Sequence, residues 1–236
     1  MILGKHLRGQ MIKIPGLEII CKFSTRRKTI GLMVTAEGKL VIAAPRGTSQ
    51  AKIAQAVAQH QTWIEGKAAA RKEAWAPLKD GAAFFRGQPF RLTVLPGAGD
   101  SVELGASEIT VRLTGGSSAL WPLLQSWYLK EAEKVIRERV RHYSEVMGLE
   151  PGQTQLRNWQ RRWGECHPKG VLRFNWRLIM LPLDVLDYVV VHELAHLREG
   201  GHTARFWQEV GKVLPDYARR RRWLNHSGAP FLIWQV

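Results

Sequence analysis

The first part of the chain carries hydrophobic residues at the spacing of a strand. Ile30, Leu32 and Val34 recur at every second position, which is the period of a half-buried strand. Residues 36–38 can form a turn, and the apolar residues that follow can return as a partner strand. We therefore predict strands between about residues 17 and 44.

Helical spacing replaces this alternation after Pro45. Thr48 or Ser49 is suited to cap a helix, because a hydroxyl oxygen can accept a hydrogen bond from the first backbone N–H groups. The positions that share one helical face are Ile53, Val57, His60 and Ile64. We predict a single helix from this cap to about Trp75.

The middle of the chain carries two further strands and a linker. The strands are predicted at Phe84 to Leu95 and Ile109 to Leu113, separated by the turn-rich segment 96–100. Residues 114–118 are Thr, Gly and Ser, and they form the best linker in the chain. We therefore expect a domain boundary there. The first predicted domain, residues 1–116, is a β-rich N-terminal region with one long helix. The second, residues 117–236, is a helix-rich C-terminal region.

The C-terminal region begins with a long helix and continues with a hairpin. Helical spacing extends over residues 121–147, and Gly148 can end the helix because glycine accepts the left-handed conformation. Residues 155–162 and 171–180 are predicted strands, joined by a turn at 167–170 that contains Pro and Gly.

A strongly apolar helix follows the hairpin. It is predicted to begin at Pro182 or Asp184. Its apolar positions at helical spacing are Val185, Leu186, Val189, Val190, Leu194 and Leu197. Gly200 and Gly201 are predicted to end it in the left-handed conformation, so that the chain folds back.

Two histidines and a glutamate on this helix suggest a metal site. His192 and His196 share one face, because four residues make about one turn. Two imidazoles at this separation can bind one small cation such as zinc. Glu193 lies roughly 100° round the helix, so it can accept a proton from the attacking water without being a ligand.

A third ligand is expected after the helix. His202 follows His196 by six residues, within reach of the same cation after a chain reversal, and it is the ligand we favour. Glu199 or Glu209 is the alternative, because some catalytic zinc sites use a glutamate. A metzincin is disfavoured, because Glu199 replaces the glycine of that motif and no methionine follows Met180.

Composition and cysteine content limit the class of protein. With 236 residues and 45% hydrophobic content, the chain can bury a large core. Its only cysteines, Cys21 and Cys166, fit a reducing compartment better than a disulfide framework. The N-terminus lacks a continuous apolar segment, and no run approaches the roughly 18 apolar residues of a membrane helix. We expect a cytoplasmic protein with no membrane partner.

The formal net charge of +15 favours contact with polyanions. Basic residues cluster at 26–28, 161–162 and 219–222. No helix-turn-helix, zinc finger or RNA-binding aromatic motif accompanies these clusters. Charge alone therefore leaves two interpretations open: a surface that binds nucleic acid or a nucleotide, and an ordinary solvated basic face.

Several separate stretches of the C-terminal region have the character of short family motifs. They are R-W-G-E-C at Arg162 to Cys166, F-N-W-R-L at Phe174 to Leu178, the stretch from Pro182 to His196, G-H-T-A-R-F-W at Gly201 to Trp207, and P-D-Y at Pro215 to Tyr217. Together they resemble the YgjP-like metallopeptidases, a family similar to the SprT-like and WLM proteases. The resemblance is strong from about Trp121 onward and weaker before it.

The resemblance implies both a fold and a set of site residues. The implied fold is α+β, with a compact zincin-like catalytic domain: a long helix, a hairpin, the H-E-x-x-H helix and a third-ligand helix. The implied zinc ligands are His192, His196 and His202, and the implied base is Glu193, the same residues that spacing suggests. One departure is Glu165, where the family usually has serine.

Two reaction classes follow from the resemblance. The first is a zinc-dependent peptidase acting on protein or peptide substrates, with DNA-associated proteolysis as a variant. For this class the predicted strand around residues 171–176 is expected to pair with an extended peptide. The second is a nucleoside triphosphate (UTP) pyrophosphatase, an activity also assigned to YgjP-like proteins, with Arg161, Arg162 and Arg173 as candidates to hold phosphates. The absence of a P-loop counts against it.

Overall fold

The computed structural model describes residues 14, 17–35, 38–79, 82–115 and 117–234. The chain divides into two compact units, Met1–Trp75 and Ala76–Val236. The boundary predicted between 116 and 117 lies inside the second unit, and Gly116 itself is outside the described residues. Outside them too are Ala36 and Glu37 of the predicted turn and the N-terminal segment 1–13.

The first unit contains a three-stranded sheet and helical segments. Its strands, in the spatial order β1-β3-β2, are β1 (Ile19–Ser24), β2 (Gly31–Val34) and β3 (Leu40–Pro45). The predicted pairing of β2 with β3 is confirmed as antiparallel, whereas β1 runs parallel to β3. Leu40, Ile42 and Val34 form the buried side of the sheet.

The helix predicted in this unit is interrupted, so the prediction of one helix was wrong. Helix α1 (Gln50–Gln59) begins at the predicted cap, where the Ser49 hydroxyl accepts a bond from the Lys52 N–H. Helix α2 (Gln61–Lys79) follows directly. At His60 the backbone N–H bonds to the Val57 carbonyl, three residues back, and this tighter bond breaks the helical repeat. His60 is consequently exposed.

The second unit begins with a four-stranded sheet in the order β4-β5-β7-β6. Its strands are β4 (Ala83–Phe85), β5 (Gln88–Pro96), β6 (Ser101–Leu104) and β7 (Glu108–Leu113). The sequence did not indicate β6, because its four residues are half-buried or exposed and carry no clear alternation.

The turn between β4 and β5 fixes the chain just before the histidine-bearing helix. Arg86 and Gly87 both have positive φ, 49° and 82°. Their N–H groups donate to the carbonyls of Ile179 and Met180 at 2.8 and 3.0 Å. A Cβ at Gly87 would lie 2.8 Å from the Pro182 Cα, so this approach requires glycine.

A short 3-10 turn (Ser117–Ala119) leads into the long helix α3 (Leu120–Met147). The predicted end is confirmed, because Gly148 follows with φ 61°. The buried face of α3 includes Leu124, Tyr128 and Ala132, and the Tyr128 hydroxyl donates to the Phe84 carbonyl at 2.9 Å. Helix α3 packs against the histidine-bearing helix.

The predicted hairpin is present, but one of its two strands is not the predicted one. The strands are β8 (Thr154–Arg157), β9 (Gly164–Cys166) and β10 (Leu172–Asn175), in the order β8-β10-β9. The turn at 167–170 is confirmed, but the strand that precedes it is β9, whereas β8 pairs with β10 in parallel. Asn175 explains the difference, because its amide donates to the Trp159 and Arg162 carbonyls and holds 158–163 as a loop. Residues Trp176–Met180, predicted as strand, form a buried 3-10 helix.

The chain ends with helices. They are α4 (Leu183–Ala195), α5 (Ala204–Val213), α6 (Tyr217–Ser227) and a 3-10 helix (Ala229–Ile233). Helix α5 begins with a side-chain cap, because the Thr203 hydroxyl accepts a bond from the Phe206 N–H. Helix α6 was not indicated by the sequence, since it is rich in arginine and buries none of its residues. The α+β class is confirmed. No helix among the described residues is long and apolar enough to cross a membrane.

Candidate metal centre

Helix α4 presents the first two histidines near its end. His192 lies in the last turn, and His196 is the C-cap residue. The helix therefore ends before Gly200 and Gly201, and neither glycine has positive φ, so the predicted glycine stop was wrong. The chain tightens instead through a bond from the Arg198 N–H to the Ala195 carbonyl at 3.1 Å.

The turn after α4 brings His202 to the other two histidines. The Nε2 atoms of His202 and His192 lie 3.0 Å apart, and the nearest ligand atoms of all three residues lie within 4.8 Å of one another. Thr203 then caps α5, which fixes the chain directly after His202. The structure thus brings together the three histidines that the sequence indicated.

The alternative third ligands are engaged elsewhere. The Glu209 carboxylate accepts bonds from Arg198 and Lys212 at 2.7 and 2.5 Å. The Glu199 carboxylate lies 3.6 Å from Arg205. Neither belongs to the histidine cluster, so His202 is the better candidate.

The imidazoles are held in a form suited to metal binding. Burial, with smaller contributions from His196, His202 and Arg221, lowers the pKa of His192 to about 3. Burial and nearby positive charge also lower the pKa of His202. A histidine with a lowered pKa is neutral at pH 7, so it can bind a metal there without first losing a proton. The His196 Nδ1 lies 3.0 Å from the Glu199 carbonyl, a bond that leaves Nε2 free for a ligand.

The donor set fits a small cation. Nitrogens that share a tetrahedral zinc lie roughly 3.3 Å apart, given metal–nitrogen bonds of about 2.0 Å. The 3.0 Å between the Nε2 atoms of His192 and His202 is close to that value. The buried Nδ1 of His192 has no hydrogen-bond partner among the described residues. It is the nitrogen left to carry the proton when Nε2 binds a metal.

Glu193 lies beside the cluster and against β9. It is 6% exposed, and burial raises its pKa to about 8, although the Cys166 backbone N–H donates to it. A Cβ at Gly164 would lie 2.5 Å from Glu193 Oε1 and 2.7 Å from Cγ. Only glycine leaves room for the carboxylate here. Gly164 lies within the R-W-G-E-C motif, but nothing in the sequence indicates that it faces Glu193.

The site opens into a cleft of about 890 Å³. Among the residues that line it are Arg162, Gly164, Glu165, Cys166, His192, Glu193, His196 and His202. Glu165 lies 3.5 and 3.6 Å from Arg162 and Arg173, so these two arginines have a carboxylate partner. Burial raises the pKa of the Cys166 thiol, which disfavours it as a nucleophile.

The sheet edge at the cleft is β9. Strand β10 has partners on both sides, so the prediction that residues 171–176 offer a free edge was wrong. Strand β9 is one of the two edge strands of this sheet, and it carries Gly164 next to Glu193. An extended chain that paired with this edge would therefore pass close to the carboxylate.

Several aromatic side chains pack around the three histidines. The Trp207 ring stacks on His202 at 5.7 Å and on Tyr217 at 5.3 Å. The Tyr188 ring lies 5.7 Å from the His192 ring, and burial raises the pKa of its hydroxyl to about 12. Asp216 pairs with Arg219 and Arg220, so it does not support a histidine.

An ion pair that sequence reasoning missed anchors α4 to α3. Arg139 donates to both oxygens of Asp187 at 2.6 and 2.8 Å, and the Tyr143 hydroxyl donates to the same carboxylate at 3.0 Å. Asp187 is 6% exposed. The available signal was an aspartate within an otherwise apolar helix, since a buried carboxylate needs a partner.

Three converging imidazoles and a buried carboxylate, in a cleft beside a strand edge, are the side chains that a metallopeptidase site requires. Residues 28–227 match the family profile described as "YgjP-like, metallopeptidase domain", and the chain belongs to this family. The family implies a bound metal ion and protein or peptide substrates.

Comparison with solved structures finds the crystal structure of the metallopeptidase zymogen of Pyrococcus abyssi abylysin. The two chains are 23% identical, with a TM-score of 0.35, and the match covers 38% of this chain and 91% of that one. A search of curated proteins found no significant match.

Proposed function

We propose that the protein is a zinc-dependent peptidase in which His192, His196 and His202 hold the metal and Glu193 is the general base. The convergence of the three histidines beside the buried Glu193 is the observation that supports this most strongly. Three protein ligands, which are all histidines in some enzymes, are typical of catalytic zinc sites, and these sites keep one position open. The cytoplasmic location stays a prediction.

The chain's own residues supply positioning and proton transfer. Bound zinc would acidify a water molecule and polarise the scissile carbonyl. The positive charge of the bound metal would favour the ionised form of Glu193, which accepts the proton of the attacking water and passes it to the leaving amine. Gly164 and the Cys166 N–H hold the Glu193 carboxylate in position, which preserves the geometry that this transfer requires.

The cleft favours a peptide over a nucleoside triphosphate. A triphosphate needs several unpaired cations, whereas Arg162 and Arg173 already have Glu165 as a partner. The outer edge of β9 suits an extended peptide. Pyrophosphatase activity is therefore an alternative outcome of the experiment below.

Metal removal is expected to abolish peptide cleavage, and zinc is expected to restore it. The chelated and the reloaded protein are incubated with an unfolded protein and mixed nucleoside triphosphates, and products are read by mass spectrometry. Free zinc at 100 times its dissociation constant should also stabilise the fold by ~2.7 kcal/mol. His202→Ala is the control, and it should regain neither activity nor stability with zinc.

Other outcomes of this assay are informative. Metal-dependent nucleoside monophosphates without new peptides would contradict the peptidase and support the pyrophosphatase. Cleavage restored by another divalent metal but not by zinc would contradict the metal assignment. Repeating the assay with single-stranded DNA tests the predicted DNA-associated variant, for which cleavage should increase.

Gly164→Ala is expected to lower kcat/KM for a peptide roughly 100-fold without loss of metal, because the methyl group would displace the Glu193 carboxylate by about an ångström. The measurement is steady-state kinetics together with metal content. Gly200→Ala is the matched control: Gly200 also lines the cleft, but a Cβ there meets nothing within 4 Å. Equal activity of the two variants would show that Gly164 does not position the carboxylate.

A further inference from the structure

Helix α6 carries four consecutive arginines, and two of them are neutralised. Arg219 pairs with Asp184 at 2.8 Å and Asp216 at 2.6 Å. Arg220 pairs with Asp216 at 2.8 Å and donates to the Asp184 carbonyl at 3.0 Å. These contacts join α6 to the beginning of α4, so half of the basic cluster is structural.

Arg221 differs from these neighbours. Its guanidinium lies 4.5 Å from the centroid of the Trp207 ring. Within the part of the chain that the structure describes, no carboxylate lies at ion-pair distance from it. An aromatic face orients a guanidinium but leaves its charge and its in-plane N–H donors available. Arg221 is therefore an oriented cation that lacks an anionic partner.

Trp207 connects this cation with the metal centre. One ring supports both groups, since Trp207 stacks on His202 at an interplanar angle of 22° and also carries the Arg221 guanidinium. The Trp207 ring also lies 6.0 Å from the His192 ring. One aromatic ring therefore joins the Arg221 guanidinium to the histidine cluster.

We propose that Arg221 determines specificity by binding a carboxylate of the peptide substrate beside the metal centre. The guanidinium fork matches a carboxylate through two parallel hydrogen bonds, and Trp207 holds the fork in one orientation before substrate arrives. The carboxylate belongs either to the substrate's C-terminus or to an acidic side chain. This inference rests on the proposed peptidase function and adds a preferred substrate class to it.

The test compares peptides that differ only in the carboxylate. One pair has a free or an amidated C-terminus, and a second series has Asp or Asn at each position around the cleavage site. We expect the wild type to cleave one carboxylate-bearing form with a kcat/KM roughly tenfold or more above its neutral partner. Arg221→Gln should reduce this ratio to about one, and Arg221→Lys should restore it partly, because lysine keeps the charge without the fork.

Arg222→Gln is the matched control, because it removes the same charge from the next residue of α6, which is also exposed. This variant should retain the preference. Loss of preference in both variants would overturn the proposal in favour of a general field effect. An equal loss of kcat for charged and neutral peptides in Arg221→Gln would also overturn it, because that pattern indicates a contact with the reacting carbonyl.

Peptide binding to the Glu193→Gln variant, read by fluorescence anisotropy, separates this proposal from the proposed function. Tighter binding of the carboxylate peptide, lost on adding Arg221→Gln, supports the assignment of Arg221 even if the wild type cleaves no peptide. Equal binding of both peptides overturns it even if the wild type is an active peptidase. Thermal melting of each variant verifies that it is folded. If Arg221→Gln is not folded, Arg221→Lys is used in its place to test the loss of preference.

Discussion

Glu193→Gln is expected to lower kcat for peptide cleavage by about 10²- to 10⁴-fold while the bound metal is retained. Glutamine has nearly the same shape as glutamate and fits the space that Gly164 leaves open. It has no carboxylate to accept the proton of the attacking water. The three histidines are unchanged, so metal binding should persist.

The measurement combines steady-state kinetics with metal analysis of the same preparation. Glu165→Gln is the matched control, because it removes another carboxylate from the wall of the same cleft. Glu165 pairs with arginines and lies on β9, so its loss should change kcat by only a few-fold. Retention of full activity in Glu193→Gln would exclude Glu193 as the base. Loss of metal together with activity would instead indicate that Glu193 supports the ligands.

The histidine cluster was predictable because its determinants are local. Four residues on a helix place His192 and His196 one above the other whatever the rest of the fold does. The start of α5 is equally local, because the Thr203 hydroxyl accepts a bond from a backbone N–H group of the first helical turn. His202 follows a short turn and lies directly before this cap. Local interactions therefore suffice to bring His202 close to the other histidines, with little contribution from distant parts of the chain.

The remaining features depend on distant contacts. The pairing of β8 with β10 was missed because it depends on Asn175, which binds the carbonyls of an intervening loop. Gly164 looks like an ordinary glycine until Glu193 is placed against it. The end of α4 was predicted at Gly200 and Gly201 because glycine accepts the left-handed conformation, whereas 3-10 bonds end the helix at Ala195. A single sequence contains no direct signal for any of these contacts.

Arg139→Met is expected to reduce the free energy of unfolding of the second unit by ~3–5 kcal/mol, the usual effect of removing one partner from a buried ion pair. The Asp187 side chain is 9% exposed and the Arg139 side chain 22% exposed, so solvent screens the pair weakly. The variant leaves the Asp187 carboxylate with only the Tyr143 hydroxyl. Urea unfolding followed by tryptophan fluorescence reports on this unit, because only Trp63 and Trp75 of the 10 tryptophans lie in the first.

Arg137→Met separates the buried pair from a general effect of charge on α3. Arg137 is two residues away and pairs with Glu133 at 2.8 Å, but both side chains are more than half exposed. Its loss should therefore cost less than ~1 kcal/mol. The double variant Arg139→Met with Asp187→Leu should recover much of the stability, because it leaves no buried carboxylate unpaired. If the double variant is as unstable as Arg139→Met, then lost packing between α3 and α4, not the orphaned charge, sets the cost.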